Sequence, residues 1–226
     1  MHTTRAILGA IALAALAAPA AQAKTYNAVA QYSAVSNTDT QHWSYRYSTG
    51  ARDGNYALLP LASTDAADWQ NDGGTTVPLD YWSNPGFNYP LISANTTRKR
   101  LHRDYGYGNV YLAPKSLFID PGYQVAVVSF LSPKRGTATV TYSFTDIDCH
   151  GGNGIDWYVD KNSGLTRDLA SGVLASTNCD DTQYATTGVQ QLQVKVRKGD
   201  RINFIIDDAG DYTFDSSAMT ATVSFP

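Results

Sequence analysis

The groups in this chain that could do chemistry are mainly carboxylates, hydroxyls and aromatic rings. The densest polar set is Thr145-Asp146-Ile147-Asp148-Cys149-His150-Gly151-Gly152-Asn153-Gly154-Ile155-Asp156. A further carboxylate pair, Asp180-Asp181, directly follows Cys179. All 20 acidic residues are aspartate, with no glutamate anywhere. That excludes the zincin helix, the EF-hand loop closed by Glu, and glycosidases with a Glu acid or nucleophile. Catalysis would have to rest on Asp, His, Tyr or Ser. A G-x-S-x-G elbow and a glycine-rich phosphate loop are absent, and His42, His102 and His150 lack metal-ligand spacing. His150 beside Asp148 could act as a base for polysaccharide lysis, and an Asp pair could hydrolyse a glycoside. So many aspartates produce such pairs by chance, so no catalytic residue is assigned and the balance lies against an enzyme.

The first 23 residues read as a secretory signal: Arg5 in a short polar start, an apolar stretch from Ala6 to about Ala18, and Ala21-Gln22-Ala23 before Lys24. No later stretch is apolar enough to span a bilayer. The expectation is a secreted protein, extracellular or periplasmic. Its two cysteines, Cys149 and Cys179, are an even count in an exported chain and predict one disulfide. Closing that loop of about 31 residues would stabilise the fold by roughly 3 to 4 kcal/mol in the chain-entropy treatment.

A bridge would hold the two Cα atoms within about 7 Å, and so place Asp180 and Asp181 near Asp146, Asp148 and Asp156. Carboxylates that close repel one another unless something compensates, and Ca²⁺ takes 6 to 8 oxygens of this kind. These five aspartates are the expected calcium ligands; the competing explanation is a solvated acidic rim. Residues 151 to 159 also match one copy of a calcium-binding nonapeptide, but a single copy cannot form a β-roll.

Aromatic rings are the other candidates, because sugar faces stack on exposed Trp and Tyr while polar side chains bind the hydroxyls. Trp69, Trp82, Phe87 and Tyr89 stand among Asp68, Asn71, Asp72, Asn84 and Asn88. Trp69, Trp82 and Tyr89, together with Tyr158, are the expected sugar contacts. Trp157 shares a strand face with Ile155 and Val159 and reads as core, which turns Tyr158 outward beside Asp156 and Asp160.

The elements that must position these groups are strands. Apolar side chains alternate at Ala138, Val140, Tyr142 and Phe144, at Leu192, Val194 and Val196, at Ile202, Phe204 and Ile206, and at Met219, Ala221, Val223 and Phe225. Gln124 to Phe130 is apolar at nearly every position, as for a strand covered on both faces. Turn signals such as Pro121-Gly122 and Lys198-Gly199-Asp200 separate them. The fold class is all-β, an antiparallel β-sandwich or jelly roll, with residues 24 to 226 as one domain and long connections over 63 to 110. The net charge of -3 gives no sign of nucleic-acid binding, and a monomer is expected.

The run Phe118-Ile119-Asp120-Pro121-Gly122, then Ser143-Phe144-Thr145-Asp146-Ile147-Asp148, then Gly154, Asp156 and Trp157, and finally Lys198-Gly199-Asp200 and Asp211-Tyr212 with Asp215-Ser216, resembles a group of exported bacterial β-sandwich domains. These occur alone, in PEP-CTERM-type exported proteins and in multidomain surface proteins. The resemblance implies a galactose-binding-like jelly roll with a carbohydrate-related role and no catalytic residues to carry over. The cysteine pair, and the end at Phe225-Pro226 without a sorting anchor, depart from the group. A non-catalytic glycan-binding module, with its Asp and Asn loops as hydrogen-bonding or calcium-bridged contacts, is therefore the leading expectation. A structural or adhesive envelope protein is the second, and an Asp-dependent polysaccharide-degrading enzyme the third.

Overall fold

The computed structural model describes residues 23–48, 52–65, 69–84, 89–148, 150–163, 168–176 and 184–226. Its strands run in chain order as β1 (Lys24–Asn27), β2 (Trp43–Ser48), β3 (Ala57–Leu58), β4 (Leu61–Asp65), β5 (Gln70–Asn71), β6 (Leu79–Ser83), β7 (Leu91–Asn95), β8 (Leu101–Asp104) and β9 (Asn109–Leu112). They continue as β10 (Ser116–Asp120), β11 (Val125–Leu131), β12 (Gly136–Asp146), β13 (Ile155–Lys161), β14 (Ala170–Leu174), β15 (Gln190–Val196), β16 (Arg201–Asp207) and β17 (Ser217–Phe225). No helix is present among the described residues.

Two antiparallel sheets face each other. The larger has the order β15-β12-β17-β10-β7-β6-β4, with β1 also paired to β17; the six-stranded sheet has the order β14-β13-β16-β11-β2-β3. Alternation decides what lies between them. Val140, Tyr142 and Phe144 of β12 meet Val128 and Phe130 of β11 and Phe204 of β16 in one buried cluster. This is a β-sandwich, as the period-two pattern implies.

A third layer was not legible in the sequence. The small sheet β5-β8-β9 accompanies a second apolar cluster, in which Trp69, Leu101 and Leu112 pack with Phe118 and Ala218 from the larger sheet and with Ile147 just beyond β12. The stretch expected as long connections thus carries short strands, β4 to β9, of two to five residues. Their shortness, and the Asn and Asp turns between them, hide the alternation.

On the other side, β11 is buried on both faces as expected: Val128 and Phe130 point into the main core, while Val125 and Val127 pack with Tyr56 and Ile205. Cys149, Cys179, Asp180 and Asp181 lie outside the described residues, as do Asp68, Phe87 and Asn88.

Candidate functional site

Strand register assembles the site. In β12 the inward positions Ala138, Val140, Tyr142 and Phe144 lead, two residues further on, to Asp146, which keeps the same inward parity and is 0% exposed. Asp146 pairs with Ser217 of β17, and Ser217 pairs on its other side with Ile119 of β10. The ends of three neighbouring strands therefore carry Asp146, Asp120 and, two residues before Ser217, Asp215.

Asp146 Oδ1 accepts the Asp148 backbone N–H at 3.1 Å, but Oδ2 is buried with no partner. Asp215 is 1% exposed, and neither of its carboxylate oxygens has a partner. Loss of water pushes Asp146 up to about 7. Burial and then the charges of Asp146 and other aspartates push Asp215 up to about 9. Asp120 is pushed up to about 7, mainly by burial. Its oxygens face the Gly122 N–H at 3.3 Å and the Ser216 hydroxyl at 3.4 Å.

Asp148 is buried but served by partners. The Tyr107 hydroxyl donates to Oδ2 at 3.1 Å, and His150 Nδ1 lies 3.2 Å from Oδ1. His150 can lie where it does because residue 108 is glycine: a Cβ there would stand 1.9 Å from Nε2. Gly152, at φ +76°, brings its loop so close to the 208–216 connection that a Cβ would stand 2.2 Å from the Thr213 carbonyl oxygen. The two loops are thus packed backbone to backbone.

Two groups of aromatic rings stand near these carboxylates. Tyr105 stacks on Tyr107 at 5.7 Å, Tyr107 meets His150 at 5.6 Å and Phe214 at 4.7 Å, and Tyr123 meets Tyr212 at 3.8 Å. Tyr107, Tyr123 and Tyr212 are 50%, 61% and 36% exposed. They come from three different connections, so no local spacing in the sequence marks them as a group. Their signal lay in Tyr-Gly turn motifs such as Tyr105-Gly106-Tyr107-Gly108.

The expected sugar contacts are placed differently. Trp69 is 2% exposed and packs edge-on to Phe118; Trp82 is 6% exposed and lies in the main core, its indole N–H donating to the Ser33 carbonyl at 2.7 Å. Neither ring offers a face to a ligand, because β5, β6 and their neighbours fold them inward. Tyr89 is half-buried, and the charge of Asp120 is the main cause raising its hydroxyl pKa. Tyr158 does face outward from β13, yet Arg52 covers its ring at 4.1 Å and its hydroxyl donates to Asp156 at 3.3 Å.

Of the five expected calcium ligands, Asp146 and Asp148 come together. Asp156 belongs instead to the outer face of the six-stranded sheet, opposite Asp207 in register. Asp120 and Asp215 take part in the cluster and were missed. Among the described residues no three His, Cys, Asp or Glu side chains converge as a ready metal cage. The Asp146–Asp215 pair, with three unpartnered oxygens, is what a cation would find.

No family model matches the chain, and no curated protein matches it. Several solved structures are similar at a low level. A family 51 carbohydrate-binding module from a Clostridium perfringens family 95 glycoside hydrolase, in complex with methyl-galactose, is 10% identical over 74% of this chain and 94% of its own, with a TM-score of 0.34. The K3 cleaved adhesin domain of the Lys-gingipain of Porphyromonas gingivalis is 14% identical over 74% of this chain and 92% of its own, with a TM-score of 0.33. A family 29 carbohydrate-binding module is 15% identical over 73% and 90%, with a TM-score of 0.29. Overlap at this level assigns no ligand.

Proposed function

We propose that the chain is an exported, non-catalytic carbohydrate-binding module that holds a glycan on the tyrosine rim, above loops braced by calcium. The observation that carries this is the rim itself: three exposed tyrosines from three connections, Tyr107 in ring contact with Tyr105, His150 and Phe214, and Tyr123 in ring contact with Tyr212. Rings of this kind offer C–H-rich sugar faces a large flat surface at low entropic cost, and their hydroxyls can bind sugar hydroxyls. Export rests on the signal-like start, and no helix among the described residues is long and apolar enough to cross a membrane.

Calcium fits the donor chemistry. Asp146 and Asp215 supply only oxygens, and their unpartnered atoms are buried where an uncompensated charge is costly. A hard cation would hold those two residues and draw further oxygens from hydroxyls, carbonyls and water. Its chemistry there is charge compensation, and the chain's part is to fix the 147–154 and 208–216 connections beneath the rim.

Affinity electrophoresis and glycan-array binding with the Tyr123→Ala and Tyr212→Ala variants test the reading. Loss of at least tenfold in affinity at an unchanged melting temperature is expected. Equal binding by wild type and both variants, or no glycan bound by the wild type, would remove it.

A further inference from the structure

A second polar site lies on the outer face of the six-stranded sheet, away from the rim. Strand register lines up Ser44 of β2, Ser129 of β11, Asn203 of β16 and Asp160 of β13 as direct cross-strand neighbours. An outward row usually meets water, yet these four are buried. They form a relay: the Ser129 hydroxyl donates to Asn203 Oδ1 at 2.7 Å, and Asn203 Nδ2 donates to Asp160 Oδ1 at 2.7 Å. Asp160 Oδ2 accepts from Tyr56 at 3.3 Å.

Two arginines stand over this floor. Arg46 Nε donates to Ser44 at 3.0 Å and Nη1 donates to the Tyr56 carbonyl at 2.7 Å, so its guanidinium is fixed. Arg201 approaches Ser44 and Ser129 at 3.4 and 3.5 Å. Together with Tyr56, Asn55, Ser163 and Asn203 they line a pocket of about 440 Å³. That volume is in the range of small-ligand sites.

The Nη2 atoms of both arginines meet one oxygen, Asp39 Oδ1, at 3.1 Å from Arg201 and in direct contact with Arg46. The partners differ sharply in setting: the arginine side chains are 9% and 21% exposed, whereas that of Asp39 is 66% exposed on a surface turn. Burial and the Arg46 charge lower the pKa of Arg201, as expected for two cations held close together. The cations are thus held on a buried floor, while the anion is an exposed turn side chain, whose backbone carbonyl also accepts from Arg201 Nη2 at 2.7 Å.

Paired, desolvated guanidinium groups recognise planar carboxylates through two parallel hydrogen bonds. We propose that this pocket binds the carboxylate of a hexuronic acid residue, and that Asp39 occupies the carboxylate position until such a ligand displaces it. The sugar part rests on the carbohydrate reading above; the carboxylate part does not. Asn55 and Ser163 supply amide and hydroxyl partners for the ring hydroxyls. A larger cleft of about 620 Å³, lined by Arg135, Lys161, Lys195, Arg197 and Asp200, has more cations. It lacks a buried polar floor, which a specific site needs.

The test is titration calorimetry of the whole protein with glucuronate, galacturonate, glucose, galactose and acetate. Removing the internal anion with Asp39→Ala or Asp39→Asn should strengthen uronate binding at least tenfold. Adding Arg201→Ala to either variant should abolish it. Neutral sugars should not bind here, and Tyr212→Ala should leave uronate affinity unchanged, which separates this site from the rim. Uronate binding that neither Asp39 variant strengthens would overturn the proposal, as would neutral sugars competing equally. Acetate matching the uronates would overturn its sugar part.

Discussion

Two sets of buried aspartates, alike in residue type and burial, differ in what surrounds them. Asp160 lies under the outer face of the six-stranded sheet, with one oxygen on the Asn203 amide and the other on the Tyr56 hydroxyl. Asp215 lies at the end of the larger sheet with both oxygens bare, and Asp146 beside it has one bare oxygen. The first arrangement is complete within the chain. In the second, those oxygens have no partner among the described residues, and a proton or a cation would supply one. A buried carboxylate is informative less by its depth than by its count of donors.

The widest consequence is in pH dependence. In chelator, Asp146 and Asp120 are held up to about 7 and Asp215 up to about 9. Each lies above the unfolded value of about 3.9, so the folded state binds the extra protons. Their contribution to stability is full below about pH 4 and is lost as pH rises through 7 and towards 9. Thermal scans in chelator should show a fall of several kcal/mol over that window, and calcium should flatten it. A flat profile in chelator would erase the contrast between the two sets.

Asp160→Leu tests the complete set. It leaves the Asn203 amide and Tyr56 hydroxyl without their acceptor and should cost about 3 kcal/mol in urea unfolding, with Asp160→Asn costing less. Asp215→Asn should behave in the opposite way, with no loss of stability in chelator, because a neutral amide replaces a carboxyl that burial and its acidic neighbours already hold in the neutral form. It should also lose the calcium gain, about 2.7 kcal/mol for wild type at a hundredfold excess over Kd. Equal calcium shifts in wild type and variant would place any cation elsewhere. The smallest effect is expected at the rim, where Tyr212→Ala should change stability by less than about 0.5 kcal/mol.

Most strands of the second half were legible because one face is buried and alternation records that directly, while β11, buried on both faces, shows as a continuous apolar run. Extended one step, the same alternation from Ala138 to Phe144 reaches Asp146, so its inward direction was written in the sequence as well. Asp215 was not. Its approach to Asp146 depends on the pairing of β12 with β17, whose residues lie far apart along the chain. Trp69 and Trp82 misled for a related reason. Their polar neighbours suggest exposure, but strands too short to show a period fold both rings inward, Trp69 beneath the third layer and Trp82 into the main core. The polar row from Ser44 to Asp160 was hidden because each strand contributes only one of its members.

The pairing of β1 with β17 places Lys24 directly opposite Phe225. A force applied between those two residues would load their backbone hydrogen bonds one after another rather than together. Such a peeling geometry gives way at low tension.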